Sequence, residues 1–331
     1  MSKLLSCLLG ILLVLPVAAA PRVLRSFQLG GEGRWDALAL DPEGKRLYVA
    51  RSTGAMVLDL DGRVLGGIPG AQGVHGVAFA RELDRGWISS GQAGTVTVFR
   101  LSSLAVETVL KTTGGDPGAV LFEPVTRRVF AFNGSGRNAT AFDGATSQLA
   151  GTIALDGKPG WAACDGRGRV YVNNQDTSQI YAINARTLKV EAVWSIRPLD
   201  RPTGLAMDVP DNLLFAVAGN RLAAVLDAGS GRILATLPIG SGAGSVAFDP
   251  GTGCAYVSNG EGTVTVLRRS AQGSFQAGPT VATARGARTI VSNPTTHRLY
   301  LPAAEYESAR PGDPPAMIKG SFRIIELDEA P

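Results

Sequence analysis

One pattern recurs seven times along this chain of 331 residues and constrains its fold more than any other feature. Each copy contains a short apolar strand, an acidic or proline-containing turn, and a second strand with an aromatic residue near its start. The copies begin at Leu38, Val77, Val120, Ala162, Leu205, Val246 and Ile290. Neighbouring copies start 39 to 44 residues apart, a period typical of propeller blades. The sequence therefore predicts an all-β, seven-bladed β-propeller with four-stranded antiparallel blades.

Residue types within each copy support this architecture. A second hairpin follows the first one, as in Met56 to Leu65 with its turn at Asp61-Gly62. Small residues suit inner strands crowded around a central axis, and one inner position is shared by Ala39, Ala78, Ala163, Ala206 and Ala247. The aromatic residues of the second strands are predicted core residues between blades: Tyr48, Trp87, Phe130, Tyr171, Phe215, Tyr256 and Tyr300.

The two ends of the chain complement each other. The last copy contains three strands, at Ile290 to Ser292, Arg298 to Leu301 and Phe322 to Leu327. Val23 to Leu29 is a single alternating strand that belongs to no copy. We expect this N-terminal strand to complete the last blade, which leaves no open sheet edge at the seam of the ring.

Residues 1–20 have the pattern of an export signal. Lys3 is followed by the apolar stretch Leu4 to Val17 and then by three alanines. The apolar stretch is shorter than the about 20 residues that a membrane-spanning helix needs. We expect cleavage after Ala19 or Ala20, and a periplasmic or secreted product in which residues 21–331 form the propeller domain without a transmembrane span.

Two cysteines remain after removal of the signal. Cys164 falls on the inner strand of the fourth blade, and Cys254 lies at the second strand of the sixth. A disulfide needs Cα atoms within about 7 Å, and a whole blade separates these two positions. The sequence therefore predicts two buried free thiols.

A tyrosine-valine signature recurs in three second strands. It reads Leu47-Tyr48-Val49-Ala50, Val170-Tyr171-Val172-Asn173-Asn174 and Ala255-Tyr256-Val257-Ser258-Asn259. These strands resemble the YVTN-repeat propellers, and stretches such as Arg201 to Asp208 and Leu226 to Gly231 are similar to the YncE-like family within that group. The resemblance implies an exported propeller, but it implies little about chemistry because the fold supports many functions.

The candidate ligand site lies at one face of the predicted ring. The connections into the inner strands and the loops between second and third strands share a face, here called the channel-mouth face, where other propellers bind ligands. The candidate binding residues on it are Trp35, Asp36, His75, Trp161, Asn173, Asp176, Arg201, Asn220, Arg221, Arg285, Arg288 and Glu305. Glu307 to Ser321, a long irregular stretch on this face, is either a binding segment or a surface ornament.

The inventory of reactive residues favours a protein without catalysis. The two histidines, His75 and His297, fall on opposite faces, and no Gly-x-Ser-x-Gly or His-Glu-x-x-His motif occurs. Oxygen atoms of Asn173, Asp176, Asn220 and Glu305 either bind a divalent cation such as Ca²⁺ or hydrogen-bond their own turns. Trp35 and Trp161 form either an aromatic ligand platform or a plug of the channel mouth.

These observations predict an exported, monomeric binding or scaffold protein that holds a protein or small molecule. Two alternatives stay open, a metal-dependent hydrolase of lactone type and an accessory of an exported quinoprotein dehydrogenase. A third alternative, single-stranded nucleic-acid binding, has a weak signal, since the formal net charge is only +4 and basic runs are absent from the sequence.

Overall fold

A computed structural model describes residues 21–31, 35–70, 72–307 and 316–328. These residues form seven antiparallel sheets of four strands each, together with one 3₁₀ helix at Arg81–Leu83. The predicted seven-bladed propeller is therefore confirmed, whereas the predicted export signal lies outside the described residues. No helix within the described ranges is long and apolar enough to cross a membrane.

Blades 1 to 6 each use four consecutive strands, ordered from the channel outwards. Blades 1 to 3 contain β2 (Trp35–Asp41), β3 (Arg46–Arg51), β4 (Gly54–Asp59), β5 (Val64–Pro69); β6 (Val74–Ala80), β7 (Arg85–Ser90), β8 (Thr95–Arg100), β9 (Val106–Lys111); β10 (Pro117–Glu123), β11 (Arg128–Asn133), β12 (Asn138–Asp143) and β13 (Leu149–Ala154). Blades 4 to 6 contain β14 (Pro159–Cys164), β15 (Arg169–Asn174), β16 (Gln179–Asn184), β17 (Lys189–Ser195); β18 (Pro202–Asp208), β19 (Leu213–Ala218), β20 (Leu222–Asp227), β21 (Ile233–Pro238); β22 (Ala243–Asp249), β23 (Cys254–Asn259), β24 (Thr263–Arg269) and β25 (Phe275–Ala282).

Blade 7 joins the two ends of the chain, as predicted. It contains β26 (Val291–Ser292), β27 (Leu299–Ala303), β28 (Arg323–Asp328) and, as its outer strand, the N-terminal β1 (Arg22–Gln28). Arg25 on β1 lies opposite Glu326 on β28 and donates a hydrogen bond to it. Arg298 and the Tyr300 hydroxyl donate to the same fully buried carboxylate at 2.8 and 3.2 Å. Arg25, Arg298, Tyr300 and Glu326 thus form a hydrogen-bonded network that joins β1 to the rest of blade 7 at the seam.

The core lies between neighbouring blades. The seven aromatic residues predicted for this role are each at most 2 % exposed. Several of them contact an aromatic ring of an adjacent blade, for example Trp87, whose ring stacks on Phe122 with centroids 5.5 Å apart. Cys164 and Cys254 are both free, as predicted. Cys254 is buried, whereas Cys164 is only half-buried, so its predicted full burial was wrong.

Blade 7 differs from the other blades at its inner strand. In blades 1 to 6 the first strand has six or seven residues and contacts the first strand of the next blade around the ring. In blade 7, β26 has only two residues, and the preceding residues 283–290 follow an irregular path. Thr289 Oγ1 ties this segment to blade 1 by donating to the backbone oxygen of Asp36 at 3.1 Å. The short strand leaves space at the channel mouth.

Candidate functional site

A cavity of about 1210 Å³ opens on the channel-mouth face beside blade 7. Five of the predicted site residues line it, namely Trp35, Asp36, Arg285, Arg288 and Glu305. Its walls come from the start of β2, the irregular segment before β26, and the chain that connects β27 with β28. The cavity is therefore a product of the seam, where three segments distant in sequence meet.

The first wall is the irregular segment 283–288. Gly286 has a φ of +86°, a conformation that favours glycine, and its N–H donates to the Gly260 oxygen at 2.8 Å. Ala287 is fully buried and anchors the segment. The flanking side chains of Arg285 and Arg288 are exposed in the cavity. Within the described ranges, neither guanidinium has an acidic group within 4.0 Å.

The second wall is aromatic and apolar. The Trp35 ring packs against Phe322 with centroids 5.3 Å apart and against Tyr306 at 6.0 Å. Tyr306 pairs with Met317 in an isolated antiparallel bridge, and the Ile318 N–H donates to the Glu305 oxygen at 2.8 Å. The two flanks of the predicted 307–321 binding segment are therefore paired with each other, while residues 308–315 lie outside the described residues.

Two of the acidic side chains that line the cavity, Glu305 and Asp36, have cationic partners. Arg323 Nη1 donates to Glu305 at 2.9 Å. Asp36 forms a hydrogen-bonded pair with Nδ1 of His75, and both side chains are about one-third exposed. This hydrogen bond raises the pKa of His75 above its ordinary value, and burial of the ring opposes the rise. Glu307 also lines the cavity, but among the described residues it forms no ion pair within 4.0 Å with Arg285 or Arg288.

The His75 pair belongs to a chain of charges along the mouth. The negative charge of Asp116 in blade 3 also raises the pKa of His75, and the positive charge of Lys158 before β14 lowers it. Lys158 Nζ lies 3.9 Å from Asp116. Asp176 accepts a hydrogen bond from the Lys158 backbone N–H at 2.9 Å and lies 4.0 Å from Arg137. Asp36, His75 and Asp176 thus form parts of one polar rim.

Two predicted binding residues form hydrogen bonds with backbone groups of the propeller. Asn173 is fully buried, and its Nδ2 donates to the Gly204 oxygen of the next blade at 2.9 Å, whereas its Oδ1 accepts no hydrogen bond in the described part of the chain. Asn220 donates to the Pro198 oxygen at 2.9 Å and accepts from the Asp200 N–H at 3.2 Å. Asn173 therefore joins β15 of blade 4 to β18 of blade 5, and Asn220 holds the connection that precedes β18.

Other predicted residues lie away from the cavity. Arg201 and Arg221 are exposed at the connections of blade 5, with Arg201 Nε 3.9 Å from Asp200. Trp161 on β14 packs against two apolar clusters, one between blades 4 and 5 and one between blades 1 and 2. Its ring therefore lies across the channel, which agrees with the plug rather than the platform.

The predicted calcium ligands are not gathered in one place. Asn173, Asn220 and Glu305 belong to blades 4, 5 and 7, and each makes the contacts given above. Among the described residues, no group of three or more His, Cys, Asp or Glu is arranged to hold a metal ion. The cation site therefore stays a prediction.

Met317 and Ile318 lie within the predicted 307–321 segment, whereas sequence reasoning did not name the lining residues Tyr306 and Arg323 on its two sides. Their signal is indirect, because they border the long irregular stretch that breaks the repeat. The pairing of Asp36 with His75 had a clearer signal: the two residues are 39 positions apart and occupy the same place in consecutive repeats.

The comparisons with known proteins show the fold. The chain matches the structure of U3-55K with a TM-score of 0.78 and 11 % identity, over 92 % of this chain and 99 % of that one. It matches the RRP9 WD40 repeats with a TM-score of 0.79 and 12 % identity, over 94 % and 100 %. It also matches Kuenenia stuttgartiensis hydrazine synthase with a TM-score of 0.70 and 12 % identity, over 94 % and 99 %.

No family model and no curated protein matches the chain. The resemblance to the YncE-like family therefore stays a prediction. The class defined by fold and neighbours is a seven-bladed β-propeller similar in fold to WD40-repeat propellers.

Proposed function

We propose that this protein is an exported binding protein whose cavity at blade 7 holds an acidic segment of a partner protein. The observation that carries the proposal is the pair of exposed arginines, Arg285 and Arg288, which line the cavity without an acidic partner among the described residues. Arginine presents a planar fork of donors that matches a carboxylate. Two such groups on one short segment suit two acidic side chains.

The size and lining of the cavity support a peptide rather than a compact metabolite. Its volume of about 1210 Å³ exceeds the roughly 300–1,000 Å³ of ordinary small-molecule sites. Trp35, Tyr306, Met317 and Ile318 provide apolar surface on the wall formed by β2 and the chain between β27 and β28. An acidic segment that also carries leucine or a similar side chain would use both walls.

The export part of the proposal rests on the N-terminal pattern of Lys3, an apolar stretch and three alanines. It is tested separately, by expressing the full chain in a bacterium and determining the N-terminal residue of the periplasmic product by mass spectrometry. A product that begins at Ala20 or Pro21 supports export. Full-length protein confined to the cytoplasm contradicts it.

The binding test uses a defined probe, a fluorescently labelled, N-acetylated peptide of alternating glutamate and leucine. Its control has glutamine in place of glutamate. Fluorescence anisotropy should show saturable binding of the acidic peptide. Replacing Arg285 and Arg288 together with glutamine should weaken binding at least tenfold, since a hydrogen bond to a charged group contributes about 1.5–3 kcal/mol.

Arg201→Gln is the matched control variant, because Arg201 is an exposed arginine on the same face, in blade 5. It should leave the affinity unchanged. Equal binding of the glutamate and glutamine peptides would contradict the proposal. So would equal effects of the control variant and the double variant, because binding would then depend on general charge attraction.

A further inference from the structure

On the face opposite the channel mouth, arginines connect neighbouring blades. The second strand of each of blades 1, 2 and 3 begins with an arginine that donates to a carbonyl in the turn between third and fourth strands of the next blade. These bonds join Arg46 to the Leu101 oxygen at 2.6 Å, Arg85 to the Gly144 oxygen at 3.0 Å, and Arg128 to the Ala185 oxygen at 2.6 Å. The same position in blade 5 holds Leu213, which has no donor. The junction of blades 5 and 6 therefore lacks this cation.

Blade 5 also differs from blades 1 and 6 in the contacts of the acidic residue at the end of its first strand. In blade 1, Asp41 binds Arg81 of the next blade, and in blade 6, Asp249 lies 3.1 Å from His297 of the next blade. Asp208 is the equivalent in blade 5 and is 8 % exposed. Its one hydrogen bond within the described ranges comes from the Asp211 N–H at 3.2 Å.

A groove of about 700 Å³ occupies the place of the missing side chains. Asp208 and Leu213 line it from blade 5, and Phe275 lines it from blade 6. The rings of Phe215 and Phe275 meet edge to face, with centroids 6.2 Å apart. The groove thus combines a carboxylate with apolar and aromatic walls.

The other charged groups of the groove do not satisfy Asp208. Arg269 lies 3.2 Å from Asp211 and its guanidinium lies over the Phe275 ring at 5.0 Å. Arg268 also lines the groove, but within the described ranges it forms no ion pair with Asp208 within 4.0 Å. Burial raises the pKa of Asp208, as expected for a carboxylate without a close counter-charge, while Arg269 opposes the rise and Asp211 adds to it.

We propose that this groove binds an organic ammonium ion on an apolar stem. The ammonium group donates to the Asp208 carboxylate, and the stem lies against Leu213, Phe215 and Phe275. The ligand thereby supplies the cation and the aliphatic chain that an arginine provides at the junctions of blades 1 to 4. This site is independent of the cavity at blade 7.

The probe is n-pentylamine, titrated into the protein at neutral pH and followed by isothermal calorimetry, with 1-pentanol as the uncharged control. We expect saturable millimolar binding of the amine and at least tenfold weaker binding of the alcohol. Asp208→Asn should weaken amine binding at least tenfold. Asp165→Asn is the matched control, because Asp165 occupies the equivalent turn of blade 4, where the Arg167 and Arg169 N–H groups engage it, and it should leave binding unchanged.

A second variant tests the repeat argument directly. Leu213→Arg places at blade 5 the arginine that blades 1 to 3 carry, so its side chain should fill the groove and abolish amine binding. Unchanged binding in either Leu213→Arg or Asp208→Asn overturns the proposal, as does an absence of saturable binding in the parent protein. Should Leu213→Arg fail to fold, Asp208→Asn alone decides.

Discussion

Blades 1 to 6 and blade 7 use the same four-stranded plan but differ at the channel. The inner strands of blades 1 to 6 have six or seven residues, whereas β26 has two. In blade 7 the irregular segment 283–290 places Arg285 and Arg288 at the wall of a cavity. The comparison teaches that repetition builds the ring, and that the interruption of the repeat builds the candidate site.

The same contrast holds for side chains. Aromatic residues of the regular blades, such as Trp87, are fully buried between sheets. Trp35 at the seam is half-buried and faces the cavity with one part of its ring. Burial of apolar area is the main stabilising contribution in both places, so the regular blades should contribute more to the free energy of unfolding than the cavity walls.

The largest expected effect tests this difference with two tryptophans. Trp87→Ala should lower the free energy of unfolding by about 3–5 kcal/mol, because it leaves a cavity in a closed core. Trp35→Ala should cost about 1–2 kcal/mol, because part of the ring is already solvated. Guanidinium-induced unfolding followed by circular dichroism measures both values. Equal losses would remove the energetic distinction between regular blades and seam.

The next largest effect on the free energy of unfolding concerns the hydrogen-bonded network around Glu326 at the seam. Glu326→Gln should cost about 2–3 kcal/mol, since this buried carboxylate accepts from Arg25, Arg298 and Tyr300. Glu107→Gln is the control in a regular blade, where the carboxylate is 16 % exposed and binds two arginines; its loss should be about 1 kcal/mol. The same unfolding measurement applies. A larger loss for Glu107→Gln would show that the seam is not specially held.

A smaller effect is expected from the pair at the mouth. The pKa of His75 is raised by Asp36, so Asp36→Asn should lower it towards the ordinary value of about 6.5. A raised pKa stabilises the fold fully below about pH 6.5 and loses this contribution as pH rises through the folded-state value. The stability difference between Asp36→Asn and the parent should therefore appear at low pH and vanish at high pH.

Its size should stay below about 1 kcal/mol, because both side chains are about one-third exposed and solvent screens their attraction. Nuclear magnetic resonance of the His75 ring protons against pH measures the shift. Asp116 and Lys158 also face this histidine, so Asp116→Asn should lower the pKa further in the double variant. An unchanged titration in Asp36→Asn would contradict the pairing.

The last prediction concerns the rate at which the thiol of Cys164 is labelled in the native protein. Burial raises the pKa of the Cys164 thiol to about 11, and the thiolate is the reactive form. At pH 8 the native protein should react with a disulfide reagent about a hundredfold more slowly than the unfolded chain. Cys164 lies in blade 4, and labelling of the native protein as fast as that of the unfolded chain would contradict the burial of this thiol between regular blades.

The ring was predictable because its signals are local and repeated. Strand spacing, the alternation of each strand and the buried aromatic residues follow from residue types within one copy. The closing strand β1 was predictable for a related reason, since the last copy lacked a fourth strand. The position of the cavity was not, because it depends on how many residues of the last inner strand pair, and Ile290 to Ser292 has the same apolar character as its equivalents.

The candidate site was predicted in part. Exposed polar residues at loops look alike in sequence, yet Asn173 turns inward to the Gly204 carbonyl and Asn220 holds the Pro198 to Asp200 connection. Trp161 crosses the channel to a blade three positions away. Such contacts depend on ring closure and on the width of the channel, which no single copy of the repeat encodes.

The pairing of β1 with β28 at the seam also means that the ring closes only when both strands are present. Arg25 and Glu326 are 301 positions apart. During folding, β1 therefore keeps an unpaired edge until β28 is available to pair with it. A chain truncated before Arg323 would lack β28, and β1 would have no neighbour. Truncated chains should therefore have an open ring and be degraded by proteases. Pairing of β28 with β1 would thus separate chains that close the ring from chains that cannot.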